Sequence, residues 1–179
     1  DPQSDPYLFS MMSEKLITEQ GVGVIFGCYT SISRKSVLPV IEKYNKLLFY
    51  PTLYEGFEFS PNVIYTGACP NQNIIILAEF RFSKCGKNCY LVGSDYVYPY
   101  ESNRIMKDMV NGFGGKIMGE HYLSIESLHA EFRPVVDDIA ACKPDFIFST
   151  VVGAATAAFY ETYAQAGLQP LTLPIASLT

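Results

Sequence analysis

Hydroxyl groups and flat aromatic rings follow the ends of several apolar runs in this sequence. The residues that share this placement are Tyr29, Ser31, Tyr50, Thr52, Tyr96 and Tyr98. They are neutral, their hydroxyls can donate and accept hydrogen bonds, and their rings can enclose a small solute. A single tyrosine of this kind is usually a half-buried packing residue, so the prediction depends on the six occurring together. As a set they are suited to holding a small polar molecule without changing it.

Catalytic interpretations have few residues to support them. The two histidines, His121 and His129, fall away from the loops that carry these hydroxyls, so neither is placed to activate a nucleophile. Cys28 precedes a predicted helix, a position that can lower the pKa of a thiol, but no base is near it in the sequence. Neither Gly-x-Ser-x-Gly nor His-Glu-x-x-His occurs. We therefore expect a binding protein and not an enzyme, with no cofactor and no bound metal.

The five cysteines are an odd number and lie mostly in apolar segments. A secreted disulfide framework would normally have closely spaced pairs, so buried free thiols are the expectation. A local disulfide between Cys85 and Cys89 is the alternative.

Composition excludes several partners. The net charge is −5 and no cluster of lysine and arginine occurs, which argues against a nucleic-acid surface. Apolar residues make up 49% of the chain, enough for a sizeable core, but no apolar run is long enough for membrane insertion. The first residues lack the pattern of a signal peptide, although a mature chain would look the same.

Strand-like and helix-like patterns alternate along the chain. Predicted strands cover residues 22–27, 47–50, 63–66, 89–93, 116–122, 146–149 and 173–176. Predicted helices cover 7–20, 31–45, 73–83 and 154–166, and apolar stripes at 105–113 and 132–139 indicate two more. This alternation predicts an α/β fold of βαβ units with parallel sheets. Right-handed crossovers would then place the loops 27–31, 50–56, 93–98 and 149–153 at one edge.

Local chemistry adds three expectations. Ser31 is predicted to cap the helix that follows it. Tyr96 and Tyr98 are predicted to lie in an extended segment with both rings pointing the same way. The helix at 73–83 is apolar nearly all round, which predicts burial on more than one side.

The carboxylates near these loops limit the ligand. Glu55 and Asp95 are the only ones that could pair with the ammonium group of an amino acid. Alternatively, Glu55 is solvated and Asp95 is a helix cap or hinge residue. Neutral groups favour an uncharged amide or urea, with its carbonyl held at Ser31 and its NH₂ donating near Thr52 and Tyr96.

The loop sequences also resemble a known family. The runs that carry the resemblance are Gly27–Ser31, Tyr50–Gly56, Gly93–Pro99, Ser149–Gly153 and Pro174–Thr179. They are similar to AmiC-like amide sensors and to urea- and short-chain-amide-binding proteins, members of the type I periplasmic-binding-protein (leucine-binding-protein-like) family. The resemblance implies two Rossmann-like parallel-sheet lobes, of which this chain would be an incomplete, central portion. Residues 1–67 would be part of lobe 1 and residues 68–179 lobe 2, with a crossover near 67–71.

The resemblance also implies a role. The six hydroxyl-bearing residues would line an amide pocket between the lobes, with Val152 as a further contact, while Leu53 departs from the proline of the amide sensors. The implied function is non-enzymatic recognition of a small aliphatic amide or urea by a cytoplasmic negative regulator of an amidase operon, with an antiterminator protein as partner. The alternative is a periplasmic solute-binding subunit that delivers urea, amides or branched-chain amino acids to an ABC permease, its signal peptide having been removed.

Overall fold

The computed structural model describes residues 1–178, and these form two compact units. The first is Asp1–Cys69 and the second begins at Pro70, so the division falls within the segment 67–71. Thr179, the last residue of the run that begins at Pro174, lies outside the described residues. None of the helices in residues 1–178 is long and apolar enough to cross a membrane.

The first unit contains two helices and a three-stranded sheet. Its elements in chain order are α1 (Pro6–Thr18), β1 (Val24–Phe26), α2 (Ser31–Lys43), β2 (Leu47–Tyr50) and β3 (Val63–Tyr65). The strands lie in the order β1-β2-β3 and all pair in parallel, with Phe26 opposite Phe49 and Phe49 opposite Ile64. The predicted parallel α/β architecture is therefore confirmed for this part of the chain.

Helix starts in the first unit follow local capping chemistry. Asp5 caps α1 by accepting a hydrogen bond from the Leu8 amide at 2.9 Å, and Pro6 takes the first helical position. Thr30 caps α2, since its backbone is extended and its Oγ1 accepts from the Ser33 amide at 3.3 Å. The prediction that Ser31 is the cap is wrong by one residue, because Ser31 is already helical.

The core of the first unit lies on one face of its sheet. Val37 and Ile41 of α2 pack with Leu48 and Tyr50 of β2, and all four are buried. The opposite face carries apolar residues that remain accessible. Their exposed fractions are 42% for Val24, 74% for Phe26, 37% for Leu47 and 42% for Ile64. Within the first unit, helices therefore cover only one face of the sheet.

The second unit has four strands and four helices. In chain order they are α3 (Ile74–Lys84), β4 (Cys89–Ser94), α4 (Val97–Gly112), β5 (Ile117–Leu123), α5 (His129–Cys142), β6 (Phe146–Thr150), α6 (Ala154–Gln165) and β7 (Ile175–Ser177). A 3₁₀ turn at Pro70–Gln72 precedes α3. The strand order is β5-β4-β6-β7 and every pair is parallel, as the alternation predicts.

Helices cover both faces of the second sheet. On β4, Tyr90 and Val92 belong to the apolar cluster with α5 and α6, whereas Cys89 and Leu91 belong to the cluster with α3 and α4. This alternation follows from the two-residue period of a strand. A strand buried on both faces also explains why the whole of β4 is apolar or small.

Two predictions for the second unit are wrong. Tyr98 lies in the first turn of α4 and not in an extended segment, because the helix begins at Val97, well before the apolar stripe at 105–113. In α3 only Ile74 and Ala78 are buried, while Ile76 is 57% and Phe80 is 51% exposed. One face of α3 packs on the sheet, with Ile75, Leu77 and Phe82 partly buried there, and Ile76 and Phe80 on the other side stay accessible.

Candidate ligand-binding site

The ends of β1 and β2 meet at one edge of the first sheet, where hydroxyls converge on one carbonyl. The Tyr50 hydroxyl donates to the Tyr29 carbonyl at 3.2 Å, and Thr52 Oγ1 donates to the same oxygen at 2.9 Å. Parallel pairing of β1 with β2 explains this meeting, since both strands end at the same edge. Three of the predicted site residues are therefore in direct contact.

Exposure separates the four predicted residues of the first unit into two kinds. Tyr29 is 80% exposed and Thr52 is partly exposed, whereas Ser31 is 2% and Tyr50 is 1% exposed. Tyr29 and Thr52 can therefore meet a solute, while Ser31 and Tyr50 lie beneath them. The expected hydrogen bond from Ser31 to a ligand carbonyl conflicts with this geometry, because its hydroxyl donates to Glu55 Oε2 at 2.7 Å.

A buried ion pair that the sequence analysis missed lies under this edge. Arg34 is completely buried, and its Nη2 and Nη1 donate to Glu55 Oε1 and Oε2 at 2.6 and 3.4 Å. Glu55 is 1% exposed, so the prediction of a solvated Glu55 is wrong. The available signal was Arg34 itself, three residues after Ser31 and therefore on the same face of α2.

Glu58 and aromatic rings complete the surroundings of Arg34. Its Nε donates to Glu58 Oε1 at 2.7 Å, and its guanidinium lies 4.6 Å from the ring centre of Tyr50. Burial alone would lower the pKa of Arg34, but its two carboxylate partners outweigh burial and raise it. Burial would raise the pKa of Glu58, but hydrogen bonds from Arg34 and Tyr65 hold it below the usual value. Arg34 and Glu58 are thus both charged at neutral pH.

Gly67 fixes the backbone on the other side of Thr52. A Cβ atom at position 67 would lie 1.9 Å from the Thr52 carbonyl oxygen, which is far closer than any side chain tolerates. The chain after β3 is also tied to this loop, because the Tyr54 amide donates to the Ala68 carbonyl at 3.1 Å. Thr52 is therefore held both by the Tyr29 carbonyl and by close backbone packing.

In the second unit, the ends of β4 and β6 also meet. Ser94 Oγ accepts a hydrogen bond from the Val152 amide at 3.1 Å. Tyr96 is half-buried in the N-cap position of α4, and Tyr98 is 7% exposed. Val152 and Tyr96 are therefore the predicted residues of this unit with accessible surface, and Tyr98 is largely enclosed.

Asp95 remains accessible beside these residues. It accepts a hydrogen bond from the Tyr100 hydroxyl at 2.8 Å, and the Tyr100 ring stacks on Tyr122 with 3.9 Å between ring centres. The prediction that Asp95 caps a helix is wrong, because Tyr96 holds the N-cap position of α4 without a side-chain cap bond.

The geometry gives little support for catalysis. Cys28 is buried, and burial raises the pKa of its thiol to about 11 against smaller opposing effects of Ser33 and Arg34. Both histidines of the sequence lie in the second unit, where His121 and His129 are paired with Asp138 and Glu161. In residues 1–178 no group of three metal-ligating side chains is placed to hold an ion. Cys85 and Cys89 are both free thiols, so the alternative of a disulfide between them is wrong.

Known proteins share this architecture. A model of the periplasmic binding protein domain family matches residues 1–179. A solute-binding protein of an ABC transporter from Rhodopseudomonas palustris HaA2, in complex with p-hydroxybenzoic acid, is 19% identical with a TM-score of 0.81 over 97% of this chain and 47% of that one. A periplasmic binding protein from Burkholderia mallei is 16% identical, with a TM-score of 0.80 over 100% and 48% of the two chains.

A branched-chain amino acid ABC transporter periplasmic ligand-binding protein from Burkholderia xenovorans is 19% identical, with a TM-score of 0.77 over 99% and 48% of the two chains. At these identities the likeness shows the fold. This chain spans about half the length of the solved structures that it matches. The family match covers the whole chain, and the chain therefore belongs to the periplasmic binding protein domain family.

Proposed function

We propose that this chain is the ligand-recognising part of a periplasmic solute-binding protein that presents a small polar organic solute to an ABC permease. The observation that carries the proposal is the edge of the first unit, where Tyr29 and Thr52 are accessible and the Thr52 hydroxyl is held by the Tyr29 carbonyl. The names of the fold relatives, which are transporter subunits, support the permease as partner. They also support the periplasm over the cytoplasm expected from the amide sensors.

The hydrogen bonds at this edge define the ligand chemistry. The Thr52 hydroxyl donates its hydrogen bond to the Tyr29 carbonyl, so its oxygen is left to a solute as an acceptor. The matching ligand group is an N–H or O–H donor. Amides and urea carry such a donor, as do hydroxybenzoates and amino acids, whereas a plain ether or ester does not.

Charge favours a neutral donor at the first unit. A buried ammonium group needs a carboxylate, and Glu55 is already engaged by Arg34 and Ser31. This observation keeps the amide-sensor interpretation as a second candidate, with a small aliphatic amide or urea as ligand and an antiterminator protein as partner. On that interpretation Tyr29 and Thr52 are the contact residues of the first unit, supported by Ser31 and Tyr50. Tyr96 and Val152 are the candidates of the second unit, and Tyr98 supports them.

Calorimetric titration of the full chain tests the proposal. The probes are acetamide, urea, 4-hydroxybenzoate and L-leucine, each titrated into the parent protein and into Thr52→Val. We expect at least one probe to bind, with a dissociation constant in the micromolar range or weaker for the smallest probes. A four-atom ligand gains at most about 6 kcal/mol, which corresponds to roughly tens of micromolar.

The variant Thr52→Val keeps the shape of the side chain but removes the acceptor. Leaving a buried donor of the ligand unsatisfied costs about 1–3 kcal/mol, so we expect binding to weaken by roughly 5- to 150-fold. Thr18→Val is the matched control, because Thr18 Oγ1 also donates to a backbone carbonyl at 2.9 Å, but Thr18 is an exposed residue at the end of α1. If no probe binds, or if Thr52→Val binds every probe as tightly as the parent, the proposal is wrong.

A further inference from the structure

Glu55 connects the two segments that form the edge of the first unit. It lies in the loop after β2, and its carboxylate sits over the first turn of α2, where it accepts from Ser31 and from Arg34. The first turn of α2 has no acidic residue of its own. A carboxylate near a helix N-terminus is stabilised by the free amides there, and Glu55 supplies that charge from a distant part of the chain.

Three side-chain hydrogen bonds join the segment 29–31 to the segment 50–55. Two are neutral bonds to the Tyr29 carbonyl, from Tyr50 and Thr52. The third, from Ser31 to Glu55, ends on a charged acceptor that is almost completely buried. Hydrogen bonds to ionised groups are about twice as strong as neutral ones, and burial strengthens them further. The Ser31–Glu55 bond is therefore the strongest of the three.

Glu58 offers a natural comparison, because it shares Arg34 as a partner. Its Oε1 accepts from Arg34 and from the Tyr65 hydroxyl, and its Oε2 lies 3.5 Å from Lys35. None of these partners belongs to the segment 29–31. Glu55 and Glu58 thus belong to the same ion cluster, but only Glu55 reaches the segment that carries Tyr29.

We propose that Glu55 is a positioning residue. Held by Arg34, it fixes Ser31 and with it the Tyr29 carbonyl that orients the Thr52 hydroxyl. Glu55 then controls the affinity for a ligand without touching it. The effect on affinity rests on the proposed function, whereas the effect on the backbone at residues 28–32 does not.

The test compares Glu55→Gln with Glu58→Gln in the full chain. Glutamine keeps the shape of the side chain but removes the charge, and its NH₂ cannot accept a hydrogen bond, so a bond that one carboxylate oxygen accepts from Ser31 or Arg34 is lost. We expect exchange of the Ser33 and Arg34 amides, which donate to Thr30, to become at least ten-fold faster in Glu55→Gln and to change less than two-fold in Glu58→Gln. In calorimetry with acetamide and with 4-hydroxybenzoate, Glu55→Gln should likewise lose affinity, and Glu58→Gln should bind nearly as the parent does.

A second variant, Ser31→Ala, keeps the proposal testable if Glu55→Gln does not fold. It removes only the hydroxyl that Glu55 holds, so it should also speed exchange of the Ser33 and Arg34 amides, even if Glu55→Gln does not fold. If Glu55 acts through Ser31, the double variant Glu55→Gln/Ser31→Ala should bind no more weakly than Glu55→Gln.

Equal changes in Glu55→Gln and Glu58→Gln would overturn the proposal, because they would mean a general loss of stability. Unchanged exchange of the Ser33 and Arg34 amides in Ser31→Ala, or additive losses of affinity in the double variant, would overturn it as well. If neither probe binds the parent, the proposed function fails for these ligands, and the exchange rates alone decide the role of Glu55.

Discussion

Replacing Arg34 with methionine should strongly destabilise the first unit. Methionine fills most of the space of the arginine stem but provides no charge and no donor. Glu58 would keep Lys35 at 3.5 Å, whereas Glu55, 1% exposed, would lose its only cation. Removing one partner of a buried ion pair costs about 3–5 kcal/mol, because the remaining charge is left uncompensated.

This cost is a large share of the stability that a small unit can have. Domains are typically stable by about 5–15 kcal/mol, and a unit of the size of Asp1–Cys69 belongs at the lower end. With a urea dependence of about 1 kcal/mol/M, Arg34→Met should move the unfolding midpoint of this unit by about 3 M or more.

Peptide-resolved hydrogen exchange across α2 and β2, measured as a function of urea, checks the prediction. It follows the first unit separately from the second, which a whole-chain signal would not. Lys35→Met is the matched control. Lys35 is a partly exposed neighbour in the same helix that pairs only with Glu58, and its loss should cost less than about 1 kcal/mol.

A double variant makes the reasoning refutable. Arg34→Met/Glu55→Gln has no uncompensated carboxylate at this position, so it should be more stable than Arg34→Met although it carries one more substitution. If Arg34→Met lies within about 1 kcal/mol of the parent, or if the double variant is the less stable of the two, the cost does not come from a buried charge and the explanation fails.

Three further predictions follow from the same unit. The pKa of Glu58 is lowered from 4.5 in the folded protein. Its stabilising effect is therefore present above about pH 4.5 and is lost as the pH falls through the folded pKa. In an acid titration, the free energy of unfolding should change less with pH for Glu58→Gln than for the parent. Gly67→Ala places a Cβ against the Thr52 carbonyl and should cost about 1–3 kcal/mol and weaken probe binding, whereas Gly23→Ala, where nothing lies within 4 Å, should leave binding unchanged. The pKa of Cys28 is raised to about 11, so iodoacetamide should label this thiol negligibly at pH 8 and faster only as the pH approaches 11. Peptide mass mapping measures the labelling. Rapid labelling at pH 8 would contradict the burial of this thiol.

The sequence was sufficient to predict the elements and their order. Apolar runs and helical stripes have strong local signals, so the strand at Leu47–Tyr50 was predicted with its observed bounds. The placement of Tyr29, Tyr50 and Thr52 at one edge was also predictable, since parallel strands end together. Helix ends were harder, because Thr30 and Ser31 are both good caps and only the backbone conformation distinguishes them.

The supporting layer beneath the edge was not predictable in this way. Arg34 and Glu55 are 21 residues apart, and although Glu55 lies in the run Tyr50–Gly56, nothing in that run indicates a pairing with Arg34. Charged residues are usually exposed, so a sequence pattern favours solvation for both. Only the fold reveals that they meet in a buried position. It also separates Ser31 and Tyr50, which are buried and support the edge, from Tyr29 and Thr52, which are accessible on it. The start of α4 was missed because residues 97–104 lack an apolar period.

The accessible face of the first sheet has a practical consequence for screening ligands. Phe26, at 74% exposed, lies there with Val24, Leu47 and Ile64, so the native protein already presents hydrocarbon to solvent. Dyes whose fluorescence increases on binding to apolar surface should bind the folded chain. The fluorescence of the folded chain would then hide the increase that marks thermal unfolding. The chain also contains no tryptophan, so intrinsic indole emission offers no substitute. Circular dichroism and calorimetry depend on neither signal and are the appropriate readouts for this protein.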